Sequence, residues 1–173
     1  MKIRDMALCG LLAAVVCLCA WVSLPLGGVS FTLQTLGVFL ALALLGGKRG
    51  SLTILLYLAL GAVGLPVFSG MQGGIGVLLG PTGGFLFGFL AAGLVFWLIT
   101  GRFPRLQIPA AVLAMLTCYA AGSVHYACFY APGSTLWPVL LQCVVPYLLP
   151  DAVKITLALY LANRLKAYAL PRA

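Results

Sequence analysis

Two charged residues, Asp151 and Lys154, interrupt a long apolar segment near the C-terminal end of the sequence. An ionisable side chain in a membrane-spanning helix costs at least about 2.5 kcal/mol on insertion scales, so it usually faces a cavity and has a partner. Residues three apart share one face of a helix. Together the two side chains offer an acceptor and a donor with no net charge, which suits a polar, uncharged headgroup such as an amide or urea. A purely structural ion pair is the alternative interpretation.

The remaining polar residues indicate no enzyme. The sequence has no Ser/His/Asp arrangement, no paired carboxylates and no HExxH motif, and Asp5 is the only other acidic residue. His125 is the only histidine, and the six cysteines show no zinc-site spacing. The basic residues form small clusters rather than a continuous patch with interleaved aromatics, which argues against nucleic-acid binding. We therefore expect no catalytic residue, no metal, no cofactor and no nucleic-acid partner.

The composition is that of an integral membrane protein in a lipid bilayer. Of the 173 residues, 64% are hydrophobic and 7% are charged, whereas a soluble domain carries about 25% charged residues. Three long charge-free stretches each have room for two crossings of about 20 residues. Gly- and Pro-rich breaks within them predict a single all-α domain, residues 1–173, with six transmembrane helices. The helices are expected near 6–24, 33–46, 51–65, 82–101, 109–130 and 137–164, with a kink caused by Pro146 and Pro150 in the last.

The basic residues indicate the orientation of these helices. Nine of the ten Lys and Arg residues lie at the two termini and in the turns near 48–49 and 102–105. The turns near 25–31, 66–81 and 131–136 carry none. Because cytoplasmic loops are enriched in Lys and Arg, both termini are predicted to be cytoplasmic. The N-terminal apolar run is similar to a signal peptide, but the chain beyond it is equally apolar, so we interpret the run as the first spanning helix.

Small residues at four-residue spacing predict close helix packing in lipid. The fourth predicted helix carries such a series at Gly80, Gly84, Gly88 and Ala92. In that helix, packing within the chain is the expected use. The first predicted helix carries Gly10 and Ala14 at the same spacing. There, a docking face for another protein competes with packing inside the bundle.

Four segments and one charged pair form a recognisable series of motifs along nearly the whole chain. They are 29–38 (VSFTLQTLGV), 44–50 (LLGGKRG), 58–68 (LALGAVGLPVF), 76–84 (GVLLGPTGG) and Asp151-x-x-Lys154. In this order they resemble the BioY family, the biotin-binding S components of energy-coupling factor (ECF) transporters. The resemblance implies a six-helix S-component bundle that captures biotin from outside the cell. It also implies partners: a transmembrane coupling protein (the T component) and two cytoplasmic ATPases.

The resemblance extends to individual residues. It implies that Asp151 and Lys154 hydrogen-bond the polar headgroup of biotin, and that Gly10 and Ala14 dock on the coupling protein. The outer loops 26–32 and 68–82 are expected to close over the ligand. Further ligand contacts are expected from Phe31, Thr32, Phe68, Gln72 and Tyr147. Gln72 or backbone N–H groups of the Gly-rich loops are expected to bind the ligand carboxylate.

Two alternative functions remain at this point. One is an S component for another vitamin, such as thiamine or riboflavin. The other is an ion-coupled transporter that works alone. The sequence has no ATP-binding motif, so ATP hydrolysis is assigned to partner subunits, and the expected location is the cell membrane of a prokaryote. Association of two copies is left open.

Overall fold

Eight α-helices and one two-stranded hairpin make up the described part of the chain, residues 2–26, 29–133 and 135–169 of a computed structural model. The hairpin pairs β1 (Ser23–Leu26) with β2 (Val29–Thr32) in antiparallel register. A 3-10 turn, Ser69–Met71, precedes α4. The helices are α1 (Ile3–Trp21), α2 (Gln34–Leu45), α3 (Gly47–Ala62), α4 (Ile75–Leu78), α5 (Gly83–Arg102), α6 (Gln107–Phe129), α7 (Leu136–Cys143) and α8 (Val145–Ala169).

Four of these helices are long and apolar enough to cross a membrane, namely α1, α5, α6 and α8. The chain is therefore a multi-pass membrane protein. Helices α2 and α3 are shorter than these four, with 12 and 16 residues. At 1.5 Å per residue they extend about 18 Å and about 24 Å, against a hydrocarbon core of about 30 Å. The prediction of a helical, multi-pass membrane fold is therefore confirmed.

The hairpin corrects the prediction of an irregular loop at 26–32. Val22 leaves the helical conformation with φ −75° and ψ 88°, so the first helix ends at Trp21 instead of residue 24. Ser23 then pairs with Thr32 and Leu24 with Phe31. The central Gly27 and Gly28 lie outside the described residues. Because β2 ends directly before α2, the hairpin holds Phe31 and Thr32 against the helix bundle.

The last predicted helix, 137–164, is wrong as one continuous element, because the structure breaks it at Val144. Pro146 has no N–H to donate to the carbonyl of Gln142, and its ring would clash with that carbonyl. Helix α7 therefore ends at Cys143, and Pro146 lies in the first turn of α8, where a missing N–H costs nothing. Pro150 lies inside α8.

The other helix boundaries differ by smaller amounts. Helix α3 begins at Gly47, four residues before the predicted start, because Gly46 makes the turn in a left-handed conformation with φ +80°. It ends at Ala62 instead of residue 65. The segment after it, predicted as a loop at 68–82, contains the 3-10 turn and α4. Helices α2, α5 and α6 agree with their predicted bounds to within two residues.

Glycines let α5 and α6 approach each other closely, in the most extensive helix contact of the described structure. A Cβ atom at Gly88 would lie 2.9 Å from the carbonyl oxygen of Cys118. A Cβ atom at Gly84 would meet the side chain of His125 even more closely. The predicted use of small residues for packing within the chain is therefore confirmed at these two positions.

One end of the bundle gathers charged residues, most of them basic, from four separate segments, and we name it the basic end. Asp5 at the start of α1 forms a 3.0 Å ion pair with Arg49 at the start of α3. Lys48, Arg49 and Lys166 line one common depression, and Arg105 lies beside it in the turn between α5 and α6. Because successive long helices alternate in direction, the hairpin, the 3-10 turn and α4 lie at the opposite end.

Candidate functional site

The ion pair predicted from the sequence is formed in the interior of the bundle. Asp151 and Lys154 are 5% and 6% exposed, and Lys154 Nζ lies 2.9 Å from Asp151 Oδ1. Both residues lie on one face of α8, since they are three positions apart. A buried pair of this kind keeps its charges only if further hydrogen bonds satisfy the remaining donors and acceptors.

The carboxylate of Asp151 receives its second bond from another helix. The hydroxyl of Tyr119 on α6 donates to Asp151 Oδ2 at 2.8 Å. Each carboxylate oxygen therefore accepts one hydrogen bond from the protein, whereas the group as a whole has about four acceptor positions. Asp151 can therefore accept a further hydrogen bond from a ligand and keep its bonds from Lys154 and Tyr119. Sequence reasoning did not identify Tyr119, because no spacing rule connects two residues on different helices.

The ammonium group of Lys154 is held by the end of the hairpin. Lys154 Nζ donates to the backbone carbonyl of Thr32 at 2.6 Å and lies 3.8 Å from the centre of the Phe31 ring. A cation over an aromatic face is attracted by the ring quadrupole. The ring of Phe31 also stacks on that of Tyr147, with centroids 6.3 Å apart. The hairpin thus contributes a carbonyl and an aromatic face to the charged pair.

A second polar chain joins α2 to α3 and to the segment that follows α3. Gln34 Nε2 donates to the hydroxyl of Tyr57 at 2.8 Å, and that hydroxyl donates to the carbonyl of Val67 at 3.2 Å. The ring of Phe68 packs edge-on against Tyr57, with centroids 5.4 Å apart. Gln34 and Phe68 are thereby held in place beside the charged pair. Gln34 was not predicted, although it lies within the motif at 29–38.

A cavity of about 370 Å³ opens between these groups, a size within the range of small-molecule sites. Its wall takes residues from the hairpin, the 3-10 turn and helices α2, α4, α5, α6, α7 and α8. Asp151 and Lys154 are the only charged residues among the described ones that line it. Much of the remaining wall is apolar or aromatic, including Phe85, Leu86 and Phe89 of α5. The cavity suits a ligand with one polar, uncharged group and an apolar body.

Six of the seven predicted ligand residues line this cavity: Thr32, Phe68, Gln72, Tyr147, Asp151 and Lys154. Phe31 is the exception: it does not line the cavity, but its ring contacts two residues that do, Lys154 and Tyr147. Gln72 is exposed and lies beside Ser69 and Gly70 at the rim. Thr32 faces the pair with its backbone carbonyl, while its side chain accepts a hydrogen bond from the N–H of Gln34 at 3.3 Å.

The predicted docking residues of α1 lie outside the bundle. Gly10 and Ala14 are exposed, and a Cβ atom at Gly10 would have no neighbouring atom within 4 Å. Leu11 and Leu18, close to them in sequence, are 62% and 56% exposed. Packing within the chain therefore does not explain this pair of small residues, in contrast to those of α5.

Within the part of the chain that the structure describes, no group of three or more His, Cys, Asp or Glu residues comes together as a metal site would require. His125 instead packs against the rings of Phe129 and Tyr130, with centroids 5.0 and 6.0 Å away. Its Nδ1 atom and the hydroxyl of Ser123 are buried and have no hydrogen-bond partner among the described residues.

The fold and the site define a multi-pass membrane protein with a cavity in its helix bundle, lined by the buried ion pair of Asp151 and Lys154. Comparison with known proteins names the group: residues 1–170 match the model of the BioY family. The chain belongs to this family.

Similar proteins cover the whole length of the chain. It is 37% identical to the biotin transporter BioY of Thermotoga maritima, over 98% of this chain and 99% of that protein. It is 36% identical to the probable biotin transporter BioY of Pyrococcus horikoshii, over 96% and 98% respectively. The fold is similar to the crystal structure of the S component for biotin from an ECF-type ABC transporter. That comparison has a TM-score of 0.86 and 22% identity, covering 97% of this chain and 93% of the other.

Proposed function

We propose that this protein binds biotin in the 370 Å³ cavity and serves as the S component of an ECF transporter for biotin uptake. It is a transport protein, not an enzyme. Full-length similarity to biotin transporters supports the substrate. The observation that carries the site assignment is the placement of Asp151 and Lys154, a neutral donor–acceptor pair, in the wall of the cavity.

The polar headgroup of biotin is a cyclic urea, which has two N–H donors and one carbonyl acceptor. Asp151 has acceptor positions left after its bonds to Lys154 and Tyr119. Lys154 has three N–H donors, of which Asp151 and Thr32 accept two. The ring N–H groups are proposed to donate to Asp151, and the ring carbonyl to accept from Lys154. Charge-assisted bonds of this kind are about twice as strong as bonds between neutral groups.

The rest of the ligand is proposed to follow the apolar and polar parts of the wall. The fused rings would pack between Phe68 and Tyr147, which face the cavity together with the apolar residues of α5. The carboxylate of the tail would lie at the rim, where Ser69, Gly70 and Gln72 provide donors. This orientation keeps the one negative charge of the ligand away from Asp151.

The topology is proposed to be six crossings with both termini in the cytoplasm, in the cell membrane of a prokaryote. The alternation of the long helices between the basic end and the hairpin end supports this arrangement. It counts α2 and α3 as crossings and takes α7 and α8 together as the sixth. Since cytoplasmic turns are enriched in Lys and Arg, the basic end faces the cytoplasm, and the cavity opens to the outside.

The proposed partners are a transmembrane T component and two cytoplasmic ATPases, since the sequence has no nucleotide-binding loop. The exposed face of α1 at Gly10 and Ala14 is the proposed docking surface for the T component. Small exposed residues on a spanning helix allow another helix to approach closely. Replacing Gly10 with Leu should therefore reduce co-purification with a T component and leave biotin binding unchanged.

The test is equilibrium binding of biotin to the purified protein and to variants of the pair. Asp151→Asn and Lys154→Met should each weaken binding at least about tenfold, because a hydrogen bond to a charged group contributes about 1.5–3 kcal/mol. Asp5→Asn and Lys48→Met are matched controls that remove the same charges at the basic end, and they should bind as the wild type does.

Two further measurements separate this proposal from other functions. Competition with thiamine and riboflavin should leave biotin binding unchanged, and wild-type protein with no measurable biotin affinity would contradict the substrate assignment. Loss of binding could also follow from unfolding around an unpaired buried charge. The double variant Asp151→Asn/Lys154→Met restores neutrality, so it should melt near the wild-type temperature and still fail to bind. Uptake of biotin by vesicles on a proton gradient, without ATPases, would contradict the role as an S component.

A further inference from the structure

A groove separates α6 from α8. Helix α8 packs mainly on α2, and α6 packs mainly on α5. The groove between them has a volume of about 730 Å³. Both flanking helices are long and apolar enough to span a membrane, so the groove opens sideways towards lipid. Most of its wall is apolar and includes the aliphatic side chains of Val112, Leu116, Leu148, Ile155 and Leu159.

The groove ends at a second depression, which is basic. This depression has a volume of about 350 Å³ and is lined by Lys48, Arg49 and Lys166. Arg49 is paired with Asp5, whereas Lys48 and Lys166 form no ion pair with any described residue. Arg105 lies at the end of the groove itself. The basic end therefore carries more positive charge than the described residues neutralise.

The groove and the basic depression are continuous. Pro104 and Gln107, where α5 turns into α6, line both of them. One molecule with an apolar chain and an anionic head could therefore occupy both at once. A phospholipid has this combination, and basic pockets between spanning helices on the cytoplasmic side are a known mode of binding anionic lipid headgroups.

We propose that this composite surface is a binding site for an anionic phospholipid. One acyl chain lies in the groove between α6 and α8, and the phosphate lies between Lys48, Lys166 and Arg105. The inner end of the groove reaches Tyr119 and Asp151, which also line the ligand cavity. The acyl chain therefore covers the hydrogen bond between these two side chains from the lipid side and keeps water from it. The lipid site does not depend on the identity of the transported ligand.

The test measures lipid binding to the purified full-length protein in neutral detergent. Phosphatidylglycerol should raise the melting temperature and remain bound in native mass spectrometry. Phosphatidylcholine with the same acyl chains should do neither, and glycerol phosphate without acyl chains should have no effect. An equal shift with phosphatidylcholine would overturn the role of the basic depression. An equal shift with glycerol phosphate would show an ion site and overturn the role of the groove.

Two pairs of variants locate the site. Lys48→Gln and Lys166→Gln should each weaken phosphatidylglycerol binding about fivefold, the effect expected for one basic residue near an anionic lipid. Lys2→Gln, which removes an exposed charge outside the depression, is the control.

The groove is tested by Leu116→Trp, which fills it, against Leu98→Trp on an exposed part of α5. Only Leu116→Trp should abolish the stabilisation by lipid. The melting temperature of each variant without lipid shows whether it is folded. Folded variants that bind phosphatidylglycerol as the wild type does would overturn the proposal.

Discussion

Helix α6 faces α5 and α8 in opposite ways. Against α5 it packs closely, because Gly84 and Gly88 let the backbones approach and leave no room between them. Towards α8 it keeps a distance that accommodates a ligand cavity on one side and a lipid-facing groove on the other. The hydrogen bond from Tyr119 to Asp151 bridges this gap.

The comparison shows how a membrane protein can build a rigid wall and a binding site from the same helix. In lipid, helices associate through close packing and interhelical hydrogen bonds, since no hydrophobic force drives them together. The small residues of α5 allow close packing on α6. Across the gap between α6 and α8, Tyr119 and Asp151 form an interhelical hydrogen bond, and the carboxylate still has acceptor positions for a ligand.

The largest effect is expected where the close contact is filled. Gly88→Val would place its Cβ atom 2.9 Å from the carbonyl oxygen of Cys118. Such overpacking costs about 1–3 kcal/mol, occasionally more, so the melting temperature should fall by several degrees. In Gly101→Val, a control on the same helix, the nearest atom lies 3.7 Å away. Equal destabilisation by the two substitutions would show that the close contact between α5 and α6 is not the reason for the loss of stability.

A smaller and more selective effect is expected where the gap is bridged. Tyr119→Phe removes the hydroxyl that donates to Asp151 and keeps the ring. A hydrogen bond to a charged group contributes about 1.5–3 kcal/mol, but this bond also forms without ligand. Only the part that orients Asp151 for the ligand is lost from the affinity, so biotin should bind up to about tenfold more weakly. Tyr126→Phe removes a hydroxyl from the same helix, two turns further on, and should not change the affinity. If Tyr119→Phe bound biotin with wild-type affinity, the hydroxyl of Tyr119 would have no role in ligand binding.

The smallest effect is expected at the hairpin. Phe31→Leu removes the aromatic face under Lys154 Nζ and keeps an apolar side chain. A cation–aromatic contact contributes about 1 kcal/mol, which corresponds to about fivefold weaker biotin binding. Phe87→Leu, on the exposed face of α5, is the matched control. If Phe31→Leu left the affinity unchanged, the hairpin would only cover the site and would not position Lys154.

The two sides of α6 also differ in how well the sequence predicts them. The small residues of α5 follow a periodic pattern, and their packing on α6 could be predicted from spacing alone. Asp151 and Lys154 could be found because they are the only charges in a long apolar region. The partner of Asp151 could not, since Tyr119 is 32 residues away on another helix and tyrosines occur in membrane helices for several other reasons.

Two local features were missed although the sequence contains their signals. The segments Ser23–Leu26 and Val29–Thr32 flank a Gly-Gly pair, which is typical of a hairpin. The six-helix pattern favoured a simple turn there instead. Pro146 signals the break before α8, but the expected kink was placed at 146–150, whereas the helix ends where the carbonyl of Gln142 would need a donor.

A structure of the protein with biotin bound is the most direct test of the proposed site. The ring carbonyl of biotin should lie within hydrogen-bond distance of Lys154 Nζ, about 2.7–3.1 Å. A ring N–H should lie at the same range from a carboxylate oxygen of Asp151, and the carboxylate tail should point towards Ser69 and Gln72. Biotin bound elsewhere, without contact to Asp151 or Lys154, would contradict the assignment of this cavity as the biotin site.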